Sequence, residues 1–202
     1  MNVRRIRLGI LANELFDPAV GRMGGFGWAV KHPERVSRLV ILNTGAFPLP
    51  KDKAFPGLLR LTRTPLGAFL VRGFNAFSLG ATVIGCKLKK MSPAIAQAYQ
   101  APYDSWANRI ATLRFVQDIP LGPGDRGFQR VQSVAENLER FESTPALIVW
   151  GGKDFVFDDA FLRQWQAYLP QAELHLEANA GHYVLEDAAD SVVPRIAEFI
   201  RA

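Results

Sequence analysis

A single cysteine, Cys86, stands in the 202 residues, so no internal disulfide can staple this fold. A reducing compartment such as the cytoplasm is the expectation that follows. Ligand spacing for a metal is missing too: the three histidines and the one thiol form no His/Cys/carboxylate cluster, and no metal or organic cofactor is expected. Long apolar runs are also absent. The most apolar stretch, 66–86, is interrupted by Arg72 and Asn75 and carries four glycines, whereas a membrane span needs about 20 nearly unbroken apolar residues. The basic start, with Arg4, Arg5 and Arg7, precedes neither a long apolar core nor a small-residue cleavage site, which argues against a secretory leader. The net charge is +5, but the basic residues are scattered, and the one tight run, Lys87-Leu-Lys-Lys90, has no aromatics interleaved. It reads as a solvated face, so no nucleic-acid partner is expected.

What is present is an ordinary globular composition, with 49% apolar and 21% charged residues, enough for one core and a small cap. No repeat or low-complexity tract occurs, and three zones differ in texture. In residues 1–46, Gly21, Gly24, Gly25 and Gly27 precede a helical segment from Trp28 that stops near Pro33. The branched run Leu39–Leu42 then has the pattern of a strand buried on both faces of a parallel sheet. Residues 47–140 open with prolines and continue with helical spacing from Leu58 to Phe77. Ser92 followed by Pro93 forms a helix-start signal, and 120–125 is a glycine–proline loop. Residues 141–202 alternate: a strand at 145–150, a helix at 158–169, a strand at 173–176 and an amphipathic helix at 188–200. Strand–helix alternation implies a parallel sheet. The expected fold is therefore α/β, with a core from 1–46 and 141–202 and a mainly helical cap from 47–140.

Residues just beyond the carboxyl ends of parallel strands are where chemistry is sought. Asp154 follows one strand by four residues, in Trp150-Gly-Gly-Lys-Asp154, and His182 follows the next by six, in Ala180-Gly-His182. Each alone has a plain reading, the aspartate as a helix cap and the histidine as a turn residue. Asp158 or Asp159 can cap the following helix instead. Together, each beyond its own strand, they make a candidate acid–base pair, with the carboxylate fixing the imidazole tautomer. His32 and His175 read as structural.

The segment Phe26-Gly-Trp-Ala-Val-Lys-His-Pro-Glu-Arg-Val36, followed by Leu39 to Thr44, resembles the region after the nucleophile in α/β-hydrolases of the haloalkane dehalogenase and epoxide hydrolase group. The motifs around Asp154 and His182 resemble that group's acid and base. Asn43 occupies the alternative acid position after Leu42, which is similar to one dehalogenase branch. Tyr103-Asp-Ser-Trp-Ala-Asn-Arg109 and Phe115-Val-Gln-Asp-Ile-Pro120 resemble the β-lactone decarboxylases of bacterial olefin biosynthesis. The resemblance covers about 23–202 and implies a partial α/β-hydrolase fold. It further implies a small apolar substrate, an aspartate nucleophile, His182 as base and Asp154 as acid. Phe74, Phe77 and Trp106 are the candidate substrate-binding aromatics of the cap.

The resemblance breaks before residue 23. The group's oxyanion loop and its Asp-Trp-Gly-Gly elbow are not intact here, which points to a truncated hydrolase. Counting back from Gly25 places the nucleophile on Ala19, which has no nucleophilic atom; Asp17 is the nearest candidate. Leu15 and Pro18 fit poorly beside a strained elbow, and a loop aspartate before a proline is the plain reading. Without the preceding strands, exposed sheet edges favour self-association. Two alternatives remain: an epoxide hydrolase using Tyr99 or Tyr103 as proton donor, and an inactive fragment that binds a ligand or partner.

Overall fold

The computed structural model describes residues 24–202. Helix α1 (Gly24–Ala29) leads to strand β1 (Leu39–Leu42). Six helices follow before the next strand: α2 (Gly57–Leu61), α3 (Pro65–Phe74), α4 (Ala76–Ile84), α5 (Pro93–Gln100), α6 (Ile110–Gln117) and α7 (Phe128–Glu136). The chain then runs through β2 (Ala146–Gly151), α8 (Asp159–Tyr168), β3 (Glu173–Glu177), α9 (Val184–Asp187) and α10 (Ala189–Arg201). The three strands form one parallel sheet in the order β1-β2-β3, with Ile41 opposite Ile148 and Ile148 opposite Leu174. The α/β class and the parallel sheet agree with the sequence, as does a strandless helical block between two strands.

Every residue of β1 and β2 is buried, and side chains alternate between two apolar layers as a strand's period of two requires. Leu39, Ile41, Ile148 and Trp150 pack with Phe26, Phe141 and Trp165 on one face. Val40, Leu42, Leu147 and Val149 pack with Val184, Val192 and Phe199 on the other. The Trp165 indole also donates to the Thr44 carbonyl at 2.7 Å. Strand β3 is an edge among the described residues and exposes Leu174 and Leu176 beside Glu173. Edge strands are commonly kept from pairing by such charges.

Two local expectations need correction. The helix around Trp28 ends at Ala29, and Pro33–Arg35 forms a separate 3₁₀ turn, because proline cannot continue the hydrogen-bond ladder. Gly24, Gly25 and Gly27 lie inside the helix rather than before it. The apolar spacing from Leu58 to Phe77 is divided among three helices. Thr64 caps the second of them by accepting from the Gly67 N–H, with Pro65 at its first position. Asn75 ends it in the left-handed region (φ 54°), which asparagine tolerates, and α3 and α4 meet at 79°. No single helix among the described residues is long and apolar enough to cross a membrane. The Ser92 cap forms as read, its Oγ accepting from the Ile95 N–H.

Three glycines let separate backbones touch behind the strand ends. A Cβ on Gly151 would stand 2.2 Å from the Gly181 carbonyl oxygen, and one on Gly181 would stand 2.3 Å from that of Gly85. Gly151→Ala should therefore cost about 1–3 kcal/mol through forced backbone displacement. Gly27→Ala, inside α1 with nothing within 4 Å, should be neutral or stabilising by up to about 1 kcal/mol. Thermal melts of the two variants against the parent check both signs.

Candidate active site

The carboxyl ends of β1 and β2 open into an apolar cavity of about 470 Å³, walled by the segment after β1, the loop after β2 and helices α2, α3, α4 and α6. Phe47, Phe55, Leu59, Val71, Phe77 and Phe115 contribute to its lining, and Asn43 and His182 are among its few polar side chains.

Asp154 leaves β2 on a turn and is buried to 4% exposure. Its Oδ2 accepts from His182 Nδ1 at 2.7 Å and from Asn43 Nδ2 at 3.0 Å, while Oδ1 accepts from the Val156 N–H at 2.7 Å. Three donors thus converge on this one carboxylate. Its bond to Nδ1 assigns the imidazole proton there and leaves Nε2 as the acceptor. Nε2 is buried and has no protein partner among the described residues. The His182 ring stacks on Phe157 (5.7 Å, 20°) and meets Tyr183 edge-on, so its plane is fixed by packing. An imidazole with one nitrogen held by a carboxylate and the other free beside an apolar cavity can accept a proton there.

Asn43 holds this arrangement together. It adopts φ 29° immediately after β1. Its Oδ1 accepts from the Gly151 N–H at 2.7 Å, and Nδ2 donates both to the Gly151 carbonyl (3.2 Å) and to Asp154. One amide thus prolongs the sheet by a rung and orients the acid. Asn43→Ala leaves the Gly151 N–H and one carboxylate lone pair unsatisfied in the interior. We expect a stability loss of about 2–3 kcal/mol, measurable by urea denaturation.

The loop that carries His182 is anchored from behind by Asp187, whose carboxylate accepts the N–H groups of Gly181, Lys87, Leu88 and Lys89 at 2.6 to 3.1 Å. Burial pushes this carboxyl upward, but the four backbone donors outweigh it and hold it below the ordinary value. On the acid side, Lys53 Nζ donates to the Phe155 carbonyl (3.2 Å) and to Asp158 (2.6 Å), pinning the loop that carries Asp154 to the segment after β1. Asp158 caps α8 through the Ala160 N–H, as the sequence allowed.

Asp154 and His182, inferred from separate motifs, meet in hydrogen-bond contact. Phe77 lines the cavity, but Phe74 and Trp106 do not. This corrects the sequence expectation: both are exposed, packing around Phe69 on the outside of the helical block. Asp17 lies outside the described residues. Neither Tyr99 nor Tyr103 lines the cavity. Tyr99 donates its hydroxyl to Glu186, and burial together with that carboxylate pushes it up to about 12. Tyr183 is the tyrosine at the cavity wall, raised far above its usual range by burial. Cys86 is pushed up to about 11 by burial, then by Asp187 and Glu186, so it stays a protonated thiol and a poor nucleophile. The sequence reading missed Asn43 as a support, together with Asp187 and Tyr183. Only Asn43 carried a signal, as a polar residue closing a fully apolar strand.

Residues 23–189 match the family described as alpha/beta hydrolase fold. The chain is 55% identical over 181 residues to a cis-3-alkyl-4-alkyloxetan-2-one decarboxylase of Shewanella oneidensis, covering 89% of this chain and 57% of that protein. It is 27% identical over 188 residues to a haloalkane dehalogenase of Mycobacterium marinum, with 90% and 59% covered. The crystal structure of the haloalkane dehalogenase DatA from Agrobacterium tumefaciens C58 superposes with a TM-score of 0.75 at 20% identity, covering 88% of this chain and 62% of that one. The chain thus spans less than two thirds of the length of each of these relatives.

Proposed function

This chain belongs to the α/β-hydrolase fold family, and on that premise we propose that it acts on a small apolar electrophile, a β-lactone bearing alkyl arms, with His182 as base and Asp154 as its supporting acid. The observation that carries the reading is the buried His182, bonded through Nδ1 to Asp154 and with Nε2 unpartnered beside an apolar cavity. The 55% identity to a protein named for 3,4-dialkyl oxetanones supports the substrate class. Walls of phenylalanine, leucine and valine suit alkyl arms, whose transfer from water stabilises binding by about 0.8 kcal/mol per methylene.

In this reading the helical block 47–140 serves as a cap over a core of 1–46 and 141–202. The attacking carboxylate comes from the segment before α1, where Asp17 is the candidate. Attack on a haloalkane carbon expels halide with its electron pair and leaves an ester. His182 Nε2 then takes a proton from water as that water attacks the ester carbonyl, freeing the alcohol and the carboxylate. For the oxetanone the overall change is loss of carbon dioxide from the ring, leaving an alkene and consuming no water.

A second reading, binding without turnover, is favoured by Ala19 at the counted nucleophile position. One experiment separates the readings. The purified chain is incubated with a cis-dialkyl oxetanone and, separately, a bromoalkane. Alkene is followed by gas chromatography, halide by ion chromatography, and binding by calorimetry. Alkene formation supports decarboxylation, and halide release alone moves the assignment to dehalogenation. Binding heat with neither product leaves a ligand-binding chain and overturns the enzymatic proposal.

A further inference from the structure

From Lys53 to Tyr103 the chain contains no aspartate or glutamate, although it carries seven lysines and arginines there; the other 151 residues hold all 19 acids. Part of the same stretch is exposed on the helical block. On it Phe69 (52% exposed) and Phe74 (63%) stand edge to face at 5.8 Å, and Phe69 meets Trp106 (48%) at 6.2 Å. The Arg72 guanidinium lies 4.4 Å above the Trp106 ring, and its Nε donates to the Trp106 carbonyl. Helix α4 adds Leu79 and Val83, one turn apart and both exposed. Leaving large apolar side chains in water is unfavourable unless something covers them.

We infer that this face of the helical block docks on an anionic membrane surface. Aromatic rings beside guanidinium and ammonium groups suit the headgroup level of a bilayer, where rings sink toward the acyl chains and cations meet lipid phosphates. Arg60, Lys87 and Lys90 are exposed along the chain on either side of the ring cluster. Lys89 makes only a loose 3.8 Å pair with exposed Asp190. Asp104, the acid nearest Trp106 in sequence, accepts from Asn108 at 2.8 Å. A second copy of the chain is a poor occupant, because a two-fold contact would set this cationic stretch against itself. Leu58 and Leu61, in the same acid-free stretch, are exposed and also line the cavity.

The test needs no turnover, so its failure is distinct from failure of the enzymatic reading. The full chain is floated with extruded vesicles of phosphatidylcholine alone or with about 30% phosphatidylglycerol; partition to the anionic vesicles should be roughly tenfold tighter and should weaken at high salt. The double variant Phe69→Ser/Phe74→Ser should lose partition while keeping its circular dichroism and melting profile. The pair Lys87→Glu/Lys90→Glu should abolish the anionic preference, which keeps the question answerable if the first variant misfolds. Equal partition on both lipids, or unchanged partition in either variant, overturns the inference. So does a lipid-free wild-type dimer that the phenylalanine variant converts to monomer, since the face would then be an interface between copies.

Discussion

His182→Ala should lower multiple-turnover hydrolysis of a bromoalkane, the reaction in which His182 Nε2 takes the proton of the attacking water, by about 10³- to 10⁴-fold and change ligand affinity by no more than about twofold. The split follows from the geometry. The cavity takes its surface from phenylalanine, leucine and valine, and the histidine supplies one polar atom among them. Removing the ring deletes Nε2, the atom placed to take a proton, but almost none of the apolar area that holds the ligand. It also leaves Asp154 with the Asn43 and Val156 donors, so the acid stays partly satisfied and the fold should persist. Steady-state turnover, read beside calorimetric binding, checks the prediction. Unchanged turnover would remove His182 from the base role, and a parallel collapse of affinity would mean that the ring shapes the cavity instead.

Asp187→Asn should destabilise the fold by about 3–5 kcal/mol at neutral pH, more than any surface substitution. The replacement keeps the volume, but an amide nitrogen must face N–H groups that now point at a carboxylate oxygen. Gly181, Lys87, Leu88 and Lys89 cannot all find acceptors. The pH dependence has a definite sign. Asp187 is held below its ordinary value in the folded chain, so its contribution is complete above the unfolded value of about 3.9. It is lost as pH falls through the lower folded value. Urea denaturation at pH 7 and near pH 3 should show the gap between parent and variant narrowing at acid pH. A gap that stays constant would mean that the carboxylate charge is not what holds the four donors.

Strands β1 and β2 were legible because burial on both faces leaves an unmistakable branched run, as at Leu39–Leu42 and Ala146–Trp150. Asp154 and His182 were legible because strand ends concentrate chemistry, and each lies a short turn beyond one. Phe74 and Trp106 were misplaced for a physical reason. Helical spacing tells which residues share a face, but not which face meets the cavity, and that depends on how α3 and α4 bend at Asn75. Asn43 appeared only as a missing carboxylate, since its work depends on a left-handed backbone that places one amide between two strands. Asp187 could not be read at all: its partners at 87–89 are about 100 residues away, and a buried backbone amide leaves no mark in a sequence. The family resemblance added what residue patterns could not, namely the kind of electrophile to expect.

The stack of Gly85, Gly181 and Gly151, tied by Asp187 to residues 87–89, also bears on how this architecture can be recombined. A helical insertion between two strands invites exchange, with a different block grafted to accept a different molecule. Here the stretch 85–89 belongs mechanically to the sheet, since it is packed backbone to backbone against the histidine loop. A graft with both junctions outside it would carry a foreign segment into that contact. Chimeras should therefore be assembled in two pieces, exchanging material before residue 85 or after 89 and leaving the native segment in place as a fixed keystone.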